Sequence, residues 1–131
     1  IRLSTKQGKI GYKIAKFQIL TTTPGASDIE AIVKIFKITQ TSITATIDFS
    51  VGNLLASAYS TEGASAAYPA FETVIFEQEI FNQDIYITHK ESHASESTNY
   101  YLELEQVKLD LSESTVATLK DIRNEVRIAP A

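Results

Sequence analysis

The sequence contains no cysteine, methionine or tryptophan, and only five glycines and three prolines occur among its 131 residues. Without cysteine there is no disulfide framework, no thiol nucleophile and no Cys-ligated zinc or iron–sulfur site. No apolar run approaches eighteen residues, so the sequence predicts no membrane-spanning helix. The hydrophobic fraction of 44% and the charged fraction of 21% are typical of a globular protein, and the length suits one domain with one core.

Motifs for catalysis or nucleotide binding are also missing. The glycines form neither G-x-x-x-x-G-K nor G-x-G-x-x-G, and no serine lies in a G-x-S-x-G elbow. The two histidines, His89 and His93, are close together in sequence, which makes a catalytic triad improbable. Glu103 and Glu105 share one strand face and are better explained as a solvated surface than as a glycosidase pair. We therefore predict a non-enzymatic protein without a cofactor.

One cluster has the residue types of a metal site. His89, Glu91 and His93 alternate, so their side chains would share a face of an extended segment, and Glu96 could add an oxygen ligand. The cluster runs into the serine-rich segment ESHASEST at 91–98, where His and Glu are ordinary loop residues. The sequence therefore favours a loop over a metal site.

Charge is distributed unevenly along the chain. Residues 1–47 carry seven basic and two acidic residues, whereas residues 48–131 carry five basic and fourteen acidic ones. The net charge of −4 disfavours nucleic-acid binding. The asymmetry fits either a protomer with oppositely charged ends, suited to head-to-tail self-association, or two halves that face each other within one domain. The second interpretation is the simpler one.

Hydrophobic residues recur with the two-residue period of β-strands. The longest such stretch is NYYLELEQVKLDL at 99–111, whose length predicts a central strand. Its apolar side changes from even to odd positions near Gln106, which predicts a bulge or a passage between sheets. Further strands are predicted over 10–20, 29–38, 41–49, 71–76 and 80–89, and residues 54–59 form either a strand or one helical turn. We expect hairpins between 29–38 and 41–49 and between 80–89 and 99–111.

Seven or eight short strands without intervening helices predict a mainly β protein, an antiparallel β-sandwich or jelly roll. Residues 1–9 are polar and are predicted to be an N-terminal arm or an edge strand. Residues 114–126 are predicted to form a C-terminal amphipathic helix. Its apolar residues recur at spacings of three and four: Val116, Leu119, Ile122 and Val126. In an assembling protein, the arm and the helix would be the docking elements.

Tyrosines are the best candidates for contacts with a partner or ligand. The candidate residues are Tyr59, Tyr68, Tyr86 and Tyr101, and Tyr100 lies beside the last of them. Such rings stack on sugars or anchor in a protein pocket, although tyrosines on strands are more often half-buried core residues. Tyr68, before Pro69 in a loop of small residues, is the one we expect to touch a partner.

Several segments together resemble small, mostly uncharacterised proteins of marine tailed bacteriophages. The segments are KIGYKIAKFQI at 9–19, FNQDIYITHK at 81–90, and NYYLELEQVKLDL followed by VATLKDIR within 99–123. The resemblance implies a virion structural protein, such as a capsid decoration protein or a tail or fibre subunit, which contacts its own copies and other virion proteins. The alternative is a carbohydrate-binding module that recognises a host surface glycan.

Overall fold

The computed structural model describes residues 1–4, 9–22, 29–62, 70–91 and 97–109. The strands are β1 (Ile10–Thr21), β2 (Ile29–Phe36), β3 (Leu54–Glu62), β4 (Ala70–Ile75), β5 (Tyr86–Glu91) and β6 (Thr98–Lys108). These ranges contain no helix. The prediction of a mainly β protein is confirmed. The helix predicted at 114–126 lies outside the described residues, and the jelly-roll connectivity stays a prediction.

The strands form two antiparallel sheets. One has the order β4-β3-β2-β5 and the other pairs β1 with β6. Residues 54–59 therefore belong to a strand and not to a helical turn. In β2 every residue from Ala31 to Phe36 is buried, as expected of a β-branched, apolar strand covered on both faces.

The hydrophobic core lies between the two sheets. Tyr12, Ile14 and Phe17 of β1 cluster there with residues of β2 and β3, among them Val33 and Ile35. The segment between β4 and β5 completes the cluster with Phe81 and Ile85. Phe81 is tied to β1 by two backbone hydrogen bonds with Tyr12, of 2.8 and 2.9 Å.

A bulge in β1 lets both halves of this strand face the core. The pairing of β1 with β6 shifts by one residue between Ile14 and Lys16, so Ala15 is the extra residue. Tyr12 and Ile14 are buried before the bulge, and Phe17 is buried after it. The predicted change of face in β6 is also present, because Leu104 and Val107 are half-buried while the two residues between them are exposed. The register shift itself is on β1, opposite this region.

The predicted hairpin of 29–38 with 41–49 is wrong. β2 ends at Phe36, and residues 37–53 contain no strand. One edge of β2 pairs with β3 and the other with β5, so no ladder position remains beside it for residues 41–49. These residues instead cross β2, where the Nζ atom of Lys34 donates a hydrogen bond of 2.8 Å to the carbonyl oxygen of Thr46.

The second predicted hairpin, between 80–89 and 99–111, is also wrong. Residues 80–85 form no strand apart from one bridge at Phe81, and β5 pairs with β2. β6 pairs with β1 and has no other neighbour among the strands described, so it is not a central strand. Antiparallel pairing by β1 over eleven residue pairs explains the length of β6 without a central position.

The first four residues contact their own chain. The backbone nitrogen of Leu3 donates to Oδ1 of Asp84 at 2.9 Å, and Ile85 N donates to Ile1 O at 3.1 Å. The hydroxyl of Tyr12 donates to the carbonyl oxygen of Ser4 at 2.6 Å. Residues 1–4 are therefore bonded to their own chain, while the arm or edge strand predicted over 1–9 stays a prediction because residues 5–8 lie outside the described ranges.

Candidate functional site

A groove lined by aromatic residues lies where β1 and β6 pass β3 and β4. Its volume is about 620 Å³, and we call it the aromatic groove. Its lining residues are Gln18, Ile19, Leu20, Tyr59, Phe71, Thr73, Asn99, Tyr100 and Tyr101. No charged side chain is among them, so the groove presents ring faces, aliphatic groups and a few hydroxyl and amide groups.

The groove exists because the core opens at this place. Thr73 of β4 pairs with the core residue Ala58 of β3. Phe71 lies two positions from Thr73 and therefore on the same face of β4, so it points to the core side of its sheet. In the other sheet, Tyr100 pairs with Ile19, which packs against the core. Phe71 and Tyr100 are nevertheless about half exposed, at 51% and 52%. Core-facing rings therefore meet solvent here.

Tyr101 stands on the other face of β6, within a row of polar contacts. Its hydroxyl donates a hydrogen bond of 2.6 Å to Oε1 of Glu103, and this bond raises the pKa of Tyr101 above its ordinary value. The Nζ atom of Lys16 lies 5.8 Å from the centre of the ring, within cation–π range. These contacts fix the rim of the aromatic groove on the side of β6.

A second, polar groove lies toward the opposite end of β2. Its volume is about 400 Å³, and its lining residues are Leu3, Lys37, Ile38, Thr39, Asn82, Gln83, Asp84 and Tyr86. The ammonium group of Lys37 is almost fully buried and forms an ion pair of 3.4 Å with Glu79. The polar groove thus combines one aromatic ring with amide, hydroxyl, carboxylate and ammonium groups.

The structure separates the tyrosines that the sequence singled out. It brings Tyr59 and Tyr101 together in the aromatic groove, whereas Tyr86 lies in the polar groove. Tyr68 lies outside the described residues. Sequence reasoning missed Leu20 and Phe71, because both continue the apolar alternation of a strand and so resemble core positions. Their positions at the end of β1 and the start of β4 were the available signal that these side chains could be exposed.

The histidine cluster of the sequence lies only partly within the described residues. No group of three or more His, Cys, Asp or Glu residues is placed to hold a metal ion there. The Nε2 atom of His89 lies 3.1 Å from the Thr98 hydroxyl, and Oε1 of Glu91 accepts a hydrogen bond from the Glu30 nitrogen. His93 and Glu96 lie outside the described residues.

The basic and acidic halves of the chain meet within the molecule. Lys13 and Glu105 approach to 3.8 Å across the β1–β6 pair, and Lys37 contacts Glu79. Lys16 is the register partner of Glu103 in the same pair of strands. Each contact joins residues 1–47 to residues 48–131, which favours the interpretation that the two halves face each other.

The protein is mainly β, with two antiparallel sheets and grooves on its surface. Comparison with protein-family models, with curated proteins and with solved structures finds no match to this chain. Among the residues described, no helix is long and apolar enough to cross a membrane.

Proposed function

We propose that the chain is a non-enzymatic β-sandwich protein of a tailed-phage virion, either a capsid decoration protein or a tail or fibre subunit. It acts in the extracellular particle through contacts with its own copies and with other virion proteins. The resemblance of segments 9–19, 81–90 and 99–123 supports the virion role. The exposed rings of the aromatic groove are the observation that supports contacts with other proteins.

The sandwich arrangement is supported by the position of the core. β1 contacts both β3 and β4 of the larger sheet, and the core cluster contains residues of both sheets. Two sheets that share one core in this way are typical of a sandwich. Such a rigid body presents its strand ends and grooves to neighbours, as a repeated subunit requires.

The aromatic groove has the composition of a protein interface. Leu20, Phe71, Tyr100 and Tyr101 are each between 51% and 54% exposed. Adjacent exposed apolar side chains mark contact sites in soluble proteins, and aromatic residues supply much of the binding energy at interfaces. The absence of charged lining residues also matches the centre of an interface.

The test is the mass of the purified chain by light scattering over a range of concentrations. We expect the wild type to assemble and the double variant Phe71→Ser with Tyr100→Ser to have a lower mass than the wild type at the same concentration, because it removes two exposed core-facing rings. Val74→Ser is the matched control, since Val74 is exposed on the opposite face of β4. A double variant with the mass of the wild type, or a wild type that is always monomeric, would contradict self-association through this groove.

The polar groove supports a second candidate function, the binding of a host surface glycan. Tyr86 is exposed there beside Asn82, Gln83 and Asp84, and a sugar-binding site needs such a ring together with hydrogen-bonding groups. Glycan-array binding is the measurement. Tyr86→Ala should remove a signal that Tyr86→Phe retains, because stacking depends on the ring and not on the hydroxyl. No saturable glycan signal from the wild type would eliminate this candidate.

A further inference from the structure

Residues 43–49 have the sequence of a strand but not its structure. The segment ITATIDF alternates strictly between apolar and polar residues. All seven residues are exposed, and Ile43 and Phe49 reach 50% and 54%. Phe49 meets the Phe76 ring edge-on, with 5.3 Å between the ring centres, yet the row as a whole stays exposed, whereas a period-two pattern normally places its apolar row in a core.

Most of the backbone of this segment is unpaired, although at its end the Val51 nitrogen donates to the carbonyl oxygen of Asp48 at 3.2 Å. No backbone–backbone hydrogen bond joins residues 41–47 to any other described residue. Their anchor is Lys34, whose Nζ atom donates to Thr46 O at 2.8 Å and approaches the Thr44 hydroxyl at 3.5 Å. Unpaired backbone groups beside an exposed apolar row make a ready template for another strand.

The contact between Lys34 and Thr46 determines which backbone groups of the segment can pair with another strand. Successive carbonyl groups of an extended chain point in opposite directions. Because Thr46 O is directed at Lys34, the N–H and C=O groups of Ala45 and Ile47 would point away from the molecule once the segment is extended. These two residues would then present the hydrogen-bonding pair of an antiparallel ladder.

We propose that residues 43–49 become a strand by pairing antiparallel with the same segment of a second copy, with Thr46 opposite Thr46. In this register Ile43 lies opposite Phe49 of the other copy, and Ala45 exchanges both hydrogen bonds with the partner's Ile47. Thr46 is then the non-hydrogen-bonded pair and keeps its contact with Lys34. This surface uses no residue of the aromatic groove.

A second copy is the occupant because the segment is self-complementary and nearly uncharged. Between Lys37 and Glu62 the only charged residue is Asp48. In the proposed register Asp48 faces Thr44 of the other copy, so no like charges meet. In an isologous contact, residue i of one copy meets residue j of the other, and residue j of the first copy meets residue i of the second. The register centred on Thr46 satisfies this condition.

Light scattering up to about 1 mM tests the contact, and the parent is the variant Phe71→Ser with Tyr100→Ser, in which the aromatic groove no longer joins copies. Ala45→Pro removes an N–H that has no partner in the monomer but pairs in the dimer, and Ile47→Lys places a charge in the apolar row. We expect the parent to dimerise, each of these two changes to make it monomeric, and unfolding midpoints to stay within about 2 °C of the parent. Ala15→Lys, an exposed control on β1 in the other sheet, should dimerise normally.

Disulfide trapping tests the register, because the chain has no cysteine of its own. Ala45→Cys and Ile47→Cys are mixed and oxidised. The register brings residue 45 of one copy opposite residue 47 of the other, so the mixed disulfide should exceed both symmetric ones several-fold. Ala15→Cys, exposed on the other sheet, measures random collision.

Three results would overturn the proposal: a parent that is monomeric at every concentration, a dimer that survives both Ala45→Pro and Ile47→Lys, or mixed disulfide at the random level. If the wild type assembles while the parent with Phe71→Ser and Tyr100→Ser is monomeric, the proposed function stands and this strand contact does not. The two ideas therefore fail separately.

Discussion

Lys34 is an ammonium group in the most deeply buried strand of the protein. It is 6% exposed, its register partners are Ser57 and Thr88, and its Nζ atom lies 5.5 Å from the centre of the Phe36 ring. Desolvation lowers its pKa from the ordinary value of 10.5. The side chain holds residues 41–49 over the sheet, but its charged form is disfavoured by the fold.

The sign of the resulting pH dependence follows from proton binding. Between the lowered pKa of the folded state and 10.5, the unfolded chain binds more protons at Lys34 than the folded chain does. The contribution of Lys34 to the free energy of unfolding therefore rises with pH across this interval.

We predict that Lys34→Met removes this rise and leaves the sheet folded. Urea unfolding from pH 7 to pH 10.5 measures it, because the other titrating groups are common to both proteins and cancel in the difference. The advantage of Lys34→Met over the wild type should be largest at the low end and shrink as pH increases. A difference that stays constant with pH would show that the pKa of Lys34 is not lowered.

Among the elements, β1 shows how one inserted residue decides which side chains are buried. With Ala15 present, Ile14 and Phe17 both face the core although they are three positions apart. The strand would alternate regularly without this residue, since Ile14, Lys16 and Phe17 would then pair with Leu104, Glu103 and Leu102 in one continuous register.

We therefore predict that deletion of Ala15 leaves the chain folded, because the inward side chains on both sides of the bulge keep their face. Deletion of Gln18, the matched control in the same strand, should prevent native folding, because it moves Ile19 and Thr21 to the outer face. Circular dichroism and thermal unfolding compare the two. Equal loss of structure in both deletions would contradict the assigned bulge.

Local patterns predicted the strands better than their partners. The alternation in 10–20, the β-branched run from 29 and the long stretch from 99 each became a strand, because the period of apolar residues reports burial directly. Pairing was missed for 41–49 because alternation does not reveal that β3 and β5 occupy both edges of β2. Phe71 was missed as a groove residue because exposure at a strand end depends on the opposite sheet.

For the whole molecule, part of the charge asymmetry of the sequence is compensated by contacts between the two halves of the same chain. The ion pairs of the described residues, Lys13 with Glu105 and Lys37 with Glu79, join its basic and acidic halves. Neither contact that we propose between copies depends on opposite charges, since the aromatic groove has no charged lining residue and residues 43–49 carry only the charge of Asp48.

We accordingly predict that self-association does not weaken between about 0.05 and 0.5 M sodium chloride, a range in which the Debye length falls about threefold. Light scattering at fixed protein concentration measures it, with a salt such as sodium sulfate as a second series that should strengthen apolar contacts. Dissociation as salt increases would instead favour head-to-tail attraction between charged ends.

The pairing of β1 with β6 has a consequence for how the protein is made. The first strand of the chain has no sheet partner other than the last one described, whereas β2 to β5 find their partners within residues 29–91. On a ribosome, β1 has no strand to pair with along its length until residue 108 has emerged, while the four-stranded sheet can already form. Pairing of β1 with β6 is then a late, long-range step of folding, and a nascent chain interrupted before it would leave the unpaired edge of β1 open to chaperones and proteases.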